Sequence, residues 1–229
     1  MNKILHIFLL SSCTFFITDA YSQKWTTSLY SQAHFPQKEY KDTYAKTGVG
    51  FGIDAMNTPA EDGLFSIGGE FGVLFLRNTR RRVDLYNLGW GNTHQLIVSN
   101  SIMNMGAKVR INLIRDQEKP VRLFIEGKLG TNAFIRSVEL QQLITGETDA
   151  NASRTKWALY GGPGAGIAVA LGENRKVFVF AQAAYLWGST TTYYSHPRIN
   201  ENDKPEFTAN RSSTDMILAQ LGFTFNLDS

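Results

Sequence analysis

The chain has 229 residues with a formal net charge of +3, and 12% of its residues are aromatic. This length suits one domain, and the mean hydropathy of −0.20 excludes a polytopic helical membrane protein. It does not exclude a transmembrane β-barrel, whose inward residues are polar. The basic residues are scattered rather than gathered into a patch, so no nucleic-acid partner is expected.

Residues 1–22 have the layout of a secretory signal peptide. Lys3 supplies the positive start, and the apolar run that ends at Ile17 is too short to span a bilayer comfortably. The small residues Ala20 and Ser22 occupy the two positions that a signal peptidase recognises before the expected cleavage after residue 22. The only cysteine, Cys13, lies inside this segment. The sequence therefore predicts an exported mature domain, 23–229, that is stabilised without a disulfide.

Eight stretches of the mature chain alternate apolar and polar residues with the period of two that indicates β-strands. In chain order they are 25–35, 47–56, 64–77, 94–114, 121–136, 156–171, 176–188 and 215–227. No helical periodicity of useful length appears after residue 22. Both faces of 176–188 are apolar, so the pattern does not assign its inward side.

The connections between these strands alternate between long and short. Residues 36–44, 78–93, 137–154 and 189–213 form the long polar loops, and 57–63, 115–120 and 172–175 form the short turns. This alternation is typical of transmembrane barrels, whose short turns face the periplasm and whose long loops face outward.

The last strand carries the sharpest motif in the chain. Read with period two, its face from Ile217 to Leu227 is wholly apolar. The spacing Gln220-x-Gly222-x-x-Phe225-x-Leu227 resembles the C-terminal assembly signal of bacterial outer-membrane barrels. That resemblance implies the barrel-assembly machinery as a partner.

Eight alternating strands also describe a soluble lipocalin, whose apolar face points inward, and the polar face distinguishes the two. It is rich in glycine, which weakens a strand unless close packing requires it. It also carries charges of both signs, and each Lys or Arg among them would cost roughly 2–4 kcal/mol near the midplane of a lipid face. We therefore expect an apolar outer face and an interior network of paired charges: Asp54, Glu70, Lys108, Arg110, Arg122, Glu126, Lys128 and Lys156.

Together these features make residues 23–229 resemble the small eight-stranded outer-membrane barrels, the group of the OmpA membrane domain and OmpX. The layout is also similar to the PorT-like barrels of Bacteroidota. The resemblance implies an all-β, antiparallel, up-and-down transmembrane barrel in the outer membrane of a Gram-negative cell. It further implies contact with outer-membrane lipid and lipopolysaccharide.

Eight strands leave too little room for a porin lumen, so the first functional hypothesis is a structural or interaction protein that acts through its outer loops. Arg80, Arg81 and Arg82 are candidates for contact with lipopolysaccharide phosphates, although a solvated basic cluster has the same sequence. Tyr86 and Trp90 are candidates for a surface that binds a protein partner. No cofactor or metal is expected, because no Cys follows residue 22 and no His-x-x-x-His occurs.

Two alternatives remain open at this stage. A lipid-modifying enzyme of the acyltransferase or deacylase type would need a histidine base near the outer rim, and His34, His94 and His196 all lie near predicted outer strand ends. A soluble lipocalin-like carrier would need the opposite orientation of the two strand faces.

Overall fold

The computed structural model describes residues 24–44, 47–59, 63–83, 94–114, 119–142, 148–199 and 205–227. The predicted signal peptide and the two aromatic candidates Tyr86 and Trp90 lie outside these ranges. The described elements are β1 (Lys24–Pro36), α1 (Lys38–Tyr44), β2 (Gly48–Thr58), β3 (Phe65–Val83), β4 (His94–Asn112), β5 (Val121–Gln142), β6 (Thr148–Leu171), β7 (Val177–Gly188), β8 (Thr191–Ile199), β9 (Pro205–Ser212) and β10 (Met216–Asn226).

Eight strands close into a barrel in the order β1-β10-β7-β6-β5-β4-β3-β2, and β8 and β9 form a separate two-stranded sheet. Every pair is antiparallel. β1 closes the ring by pairing with β2 on one side and with β10 on the other. Closure leaves no barrel edge in the membrane-spanning part, which is required where no water can satisfy backbone groups. No helix in the described part of the chain is long and apolar enough to cross a membrane.

The barrel is apolar outside and polar inside, as the sequence predicted. Phe71, Val109 and Ile167 are exposed on its outer face, whereas Glu70 and Lys128 are buried within it. A lipocalin requires the reverse arrangement, so the lipocalin alternative is wrong. The side of 176–188 that the pattern left open is also defined: Phe178, Phe180, Gln182, Ala184 and Leu186 are buried inside.

Close approach between strands explains the interior glycines. A Cβ at Gly222 would lie 2.6 Å from Cα and Cβ of Tyr30 and would overlap the carbonyl oxygen of Leu29. Because ordinary side chains cannot approach backbone this closely, glycine lets the large interior side chains fill a narrow barrel. On the outer face the constraint is absent, and a Cβ at Gly127 would meet nothing within 4 Å.

Parts of all four long stretches predicted as loops form regular structure. Residues 38–44 form α1, parts of 189–213 form the β8–β9 hairpin, and 137–142 and 148–155 extend β5 and β6. β3 likewise continues through Arg80, Arg81 and Arg82 after an irregularity in register between Leu76 and Thr79. The seven-residue helix and the hairpin show little periodicity in the sequence. Such short elements depend on tertiary packing more than on local propensity.

The extensions raise a four-stranded sheet, β3–β6, above the rest of the barrel. Gly48 at the start of β2 pairs with Leu76, so the later residues of β3 rise beyond β2. β7 ends at Gly188, which pairs with Tyr160, so the first half of β6 rises beyond β7. We call this part, made of residues 79–83, 94–100, 136–142 and 148–156, the projecting sheet.

The polarity of the strands inverts in the projecting sheet. Below it, the inward side of β4 carries Lys108 and Arg110. Within it, the same side carries Val98 and Leu96, which are buried. On β5, the inward Val138 and Leu140 are buried in the same way, and the outward Glu139 is exposed. An apolar inside and a polar outside suit water, so the hydrocarbon boundary lies where the two patterns meet.

Candidate functional site

The centre of the barrel holds a compact ion network. Lys108 Nζ lies 2.6 Å from Asp54 Oδ2 and 3.7 Å from both Glu70 Oε2 and Glu126 Oε2. Lys128 Nζ lies 2.8 Å from Glu70 Oε2 and 3.3 Å from Glu126 Oε1. Strands β2, β3, β4 and β5 supply these five residues, so the network ties neighbouring strands together across the lumen.

Neutral hydrogen-bonding groups complete this layer. The Tyr160 hydroxyl donates to Glu70 Oε1 at 3.1 Å, and Lys128 Nζ donates to Gln220 Oε1 at 2.8 Å. Gln220 Oε1 also accepts from Gln182 Nε2. Pairing of this kind offsets much of the cost of placing charged groups inside a membrane protein. These buried side chains, bonded to one another across the barrel, hold the strands together at this level.

The remaining predicted interior charges lie at other levels. Arg110 bonds Glu126 Oε2 at 3.1 Å and stacks on Phe124, with its Cζ 4.0 Å from the ring centroid. Arg122 stacks on Phe178 at the same distance, nearer the short-turn end. Lys156 stands on the inward side of β6 opposite Phe134, above the central network.

An apolar layer and a tyrosine close the barrel toward the projecting sheet. Tyr40 of α1 is fully buried, and its ring meets Phe134 edge-on at a centroid distance of 6.0 Å. The layer beneath it consists of buried apolar side chains from six barrel strands: Leu74, Leu76, Ile102, Phe134, Ala158, Ala184, Leu186, Met216 and Leu218. Helix α1 therefore acts as a plug at this mouth.

His34 belongs to this plug and is not placed as a free base. Its Nδ1 accepts the Gly48 N–H at 3.1 Å, and its Nε2 lies 3.2 Å from the Tyr40 hydroxyl. Both ring nitrogens are engaged and the ring is buried. His94 is also buried, at the outer end of β4, and the side chain of His196 is outside the described set. Within the described residues, no three His, Cys, Asp or Glu side chains come together to hold a metal ion.

An ion pair anchors α1 to the rim beside β7 and β10. Lys38 Nζ lies 2.8 Å from Asp215 Oδ2, and the Gly188 N–H donates to Asp215 Oδ1 at 3.0 Å. Burial alone would raise the pKa of Asp215, but the hydrogen bonds from Lys38 and Gly188 hold it below its usual 3.8. The hydrogen bond to Asp215, aided by one to Tyr185, raises the pKa of Lys38.

The three consecutive arginines lie on a strand of the projecting sheet, and all three are exposed. Arg80 and Arg82 stand opposite Ile97 and Gln95, on the outward face, whereas Arg81 stands opposite Leu96 on the other face. Among the described residues, β2 does not reach this height, because it begins at Gly48, opposite Leu76. Two of the three guanidinium groups therefore share one outward surface, above the start of β2.

The four residues of the predicted assembly signal occupy both sides of β10. Gln220 and Gly222 point inward, where Gln220 joins the polar layer and Gly222 packs against Tyr30. Phe225 and Leu227 stand on the outer face near the short-turn end, and the Leu227 N–H donates to the Trp25 carbonyl at 2.9 Å. The motif thus contributes to the closing seam between the first and last strands.

No protein-family model and no curated protein matches the chain. A major outer membrane protein from Thermus thermophilus is similar in structure, with a TM-score of 0.53, 11% identity, and coverage of 90% of this chain and 100% of that chain. Neisserial surface protein A gives 0.46 at 11% identity, covering 90% and 96%. Ail, the attachment invasion locus protein of Yersinia pestis, gives 0.43 at 14% identity, covering 89% and 97%. At 11% identity the likeness to the Thermus protein concerns the fold alone, and together with the closed ring of eight strands it gives the chain the fold of an outer-membrane β-barrel.

Proposed function

We propose that the protein is a small non-porin outer-membrane barrel that acts as an interaction protein through its projecting sheet. The observation that carries the proposal is the inversion of polarity in β4 and β5, which gives the projecting sheet the character of a water-soluble surface. In the proposed topology the short turns face the periplasm and the projecting sheet faces outward. The predicted signal peptide, 1–22, would supply export.

The filled interior supports a role without transport. Viewed from the projecting sheet, Tyr40 and the apolar layer come first, and the ion network of Lys108 and Lys128 follows. A porin needs many more strands to leave an aqueous lumen. We propose a non-enzymatic role as well, since His34 has both ring nitrogens engaged.

We infer that the outward pair Arg80 and Arg82 contacts the phosphate groups of lipopolysaccharide. Guanidinium groups bind phosphate oxygens in a bidentate manner, and both residues are exposed just above the apolar band. The predicted contribution of Tyr86 and Trp90 to a protein-binding surface stays a prediction.

The location is tested by gel mobility of an outer-membrane fraction with and without boiling. A folded barrel in that fraction migrates differently from the boiled chain, and recovery in the soluble periplasm contradicts the proposal. The ligand is tested by the affinity of the refolded barrel for lipopolysaccharide and for its dephosphorylated form. We expect the double variant Arg80→Gln, Arg82→Gln to lose the preference for the phosphorylated form.

The control for this experiment is the double variant Lys119→Gln, Lys176→Gln. It removes the same charge from exposed positions at the opposite end of the barrel. If both double variants bind like the unaltered chain, the arginine pair does not contact the phosphates.

A further inference from the structure

The short-turn end of the barrel contains a small polar cavity outside the proposed outer binding surface. Its volume is about 50 Å³, enough for a few water molecules or one small group. Hydroxyl and guanidinium groups supply much of its polar lining: Thr26, Thr58, Ser66, Thr224, Arg110 and Arg122.

Two arginines are held rigidly at this cavity. The Arg110 guanidinium stacks on Phe124 and the Arg122 guanidinium on Phe178, each with its Cζ 4.0 Å from the ring centroid. Phe124 and Phe178 are themselves buried. Stacking fixes the plane of a guanidinium and leaves its N–H donors directed along that plane.

Both arginines have donors to spare. The Nε atoms of Arg110 and Arg122 are buried and have no hydrogen-bond partner among the described residues. A buried donor of a charged group that stays unsatisfied costs free energy, so such a pair requires an explanation. Three of the nearby hydroxyls already have a partner, since Thr58 and Ser66 bond each other at 2.8 Å and Thr224 bonds Ser28 at 2.9 Å.

The charge balance also leaves one cation over. The three carboxylates of the central network, Asp54, Glu70 and Glu126, face the cations Lys108 and Lys128 within it and Arg110 on its short-turn side. Arg122 contacts no carboxylate within the described part of the chain, so no group of the barrel interior neutralises it. A positive charge inside a membrane protein is stabilised by a counter-ion.

We propose that Arg110, Arg122 and the surrounding hydroxyls form a pocket for an oxyanion, either a phosphate or a carboxylate group, that enters from the short-turn end. The oxyanion accepts from both Nε–H donors and neutralises Arg122. The pocket faces the periplasm in the proposed topology. It is independent of the outer surface, because the ion network and the apolar layer separate the two.

The test is calorimetric titration of the refolded barrel with inorganic phosphate, with acetate, and with chloride at matched ionic strength. We expect saturable binding of phosphate or acetate but not of chloride. Whichever of phosphate and acetate binds more tightly identifies the group that the pocket accepts. Arg122→Gln should weaken binding by about tenfold or more, the loss expected for one charge-assisted contact. Lys176→Gln, which removes an exposed positive charge near the same end, should leave binding unchanged.

A measurement on the unaltered chain makes the test independent of whether the variant folds. The arginine Nε–H resonances of Arg110 and Arg122 should shift with phosphate or acetate along the calorimetric saturation curve. Resonances that do not move, or equal weakening by Arg122→Gln and Lys176→Gln, would overturn the pocket.

Discussion

At the scale of single residues, the central lysines are the groups on which the interior depends. Lys108 is completely buried among three carboxylates, so its removal leaves negative charges without enough compensation. We expect Lys108→Met to lower the free energy of unfolding by about 3–5 kcal/mol, the range for breaking a buried ion pair. Reversible urea unfolding in lipid vesicles measures this quantity.

Two further variants separate charge from packing. Asp54→Asn added to Lys108→Met removes the carboxylate closest to the lysine, at 2.6 Å, and should restore part of the lost stability. Lys119→Met, at an exposed turn position, should have little effect. If Lys108→Met costs no more than Lys119→Met, the network does not stabilise the barrel.

A pair of glycines tests the close packing at the seam. Gly222→Ala places a Cβ 2.6 Å from Tyr30 atoms, whereas Gly127→Ala places one in open space on the lipid side. We expect the first substitution to reduce the folded fraction seen by gel mobility and the second to leave it unchanged. Equal folded fractions for the two variants would contradict the close packing at Gly222.

At the scale of elements, helix α1 is too short to be stable by itself and depends on its anchors. Tyr40 fills the mouth of the barrel, and Lys38 pairs with Asp215. Lys38 has φ 50°, a left-handed conformation that is rare for a residue with a side chain. The burial of Tyr40 and the Lys38–Asp215 ion pair therefore hold α1 in place.

The anchor predicts a specific pH dependence. Because the folded pKa of Asp215 lies below its usual 3.8, its ionised form stabilises the fold above that pH. This contribution is lost as the pH falls through the folded value. The raised pKa of Lys38 keeps the pair charged until the pH rises above 10.5. Asp215→Asn should thus lower the Tm at pH 7, and the difference from the unaltered chain should vanish in strong acid.

The matched control for this prediction is Asp42→Asn, which removes an exposed carboxylate of the same helix. It should shift the Tm little at either pH. A Tm difference for Asp215→Asn that stays constant from pH 7 into strong acid would contradict the assignment of the anchor to the ionised carboxylate.

The elements also show what the sequence could and could not predict. The eight barrel strands follow from alternation, because one lipid face and one packed face impose a strict period of two. Helix α1 could not be predicted, since seven residues are too few to show helical periodicity and Tyr40 is its one fully buried apolar side chain among the described residues. The projecting sheet did leave a signal: apolar residues of β4 occupy odd positions such as Met105 and even positions such as Val98.

The interior charges could be assigned to one face but not to partners. Alternation places Arg122 and Lys128 on the same side of β5, yet the first stacks on Phe178 and the second pairs with Glu70. Which charged groups pair depends on the stagger of the eight tilted strands. That stagger cannot be read from a single sequence. For the same reason the cavity at the short-turn end could not be foreseen.

At the scale of the whole molecule, the proposed orientation requires an apolar band that contacts hydrocarbon and ends below the projecting sheet. Leu129 and Leu221 are 69% and 60% exposed on the outer face at the level of the ion network. Ser153 is exposed on the projecting sheet. All three side chains lie on the outside of the barrel wall, but Leu129 and Leu221 should be surrounded by lipid and Ser153 by water.

The most direct test uses single cysteines carrying nitroxide spin labels, since the expected mature chain has no other cysteine. In lipid vesicles, labels at Leu129 and Leu221 should be accessible to oxygen and protected from a water-soluble nickel complex, and a label at Ser153 should show the reverse. Nickel access at Leu129 and Leu221 equal to that at Ser153 would contradict the proposed orientation and position of the barrel in the bilayer.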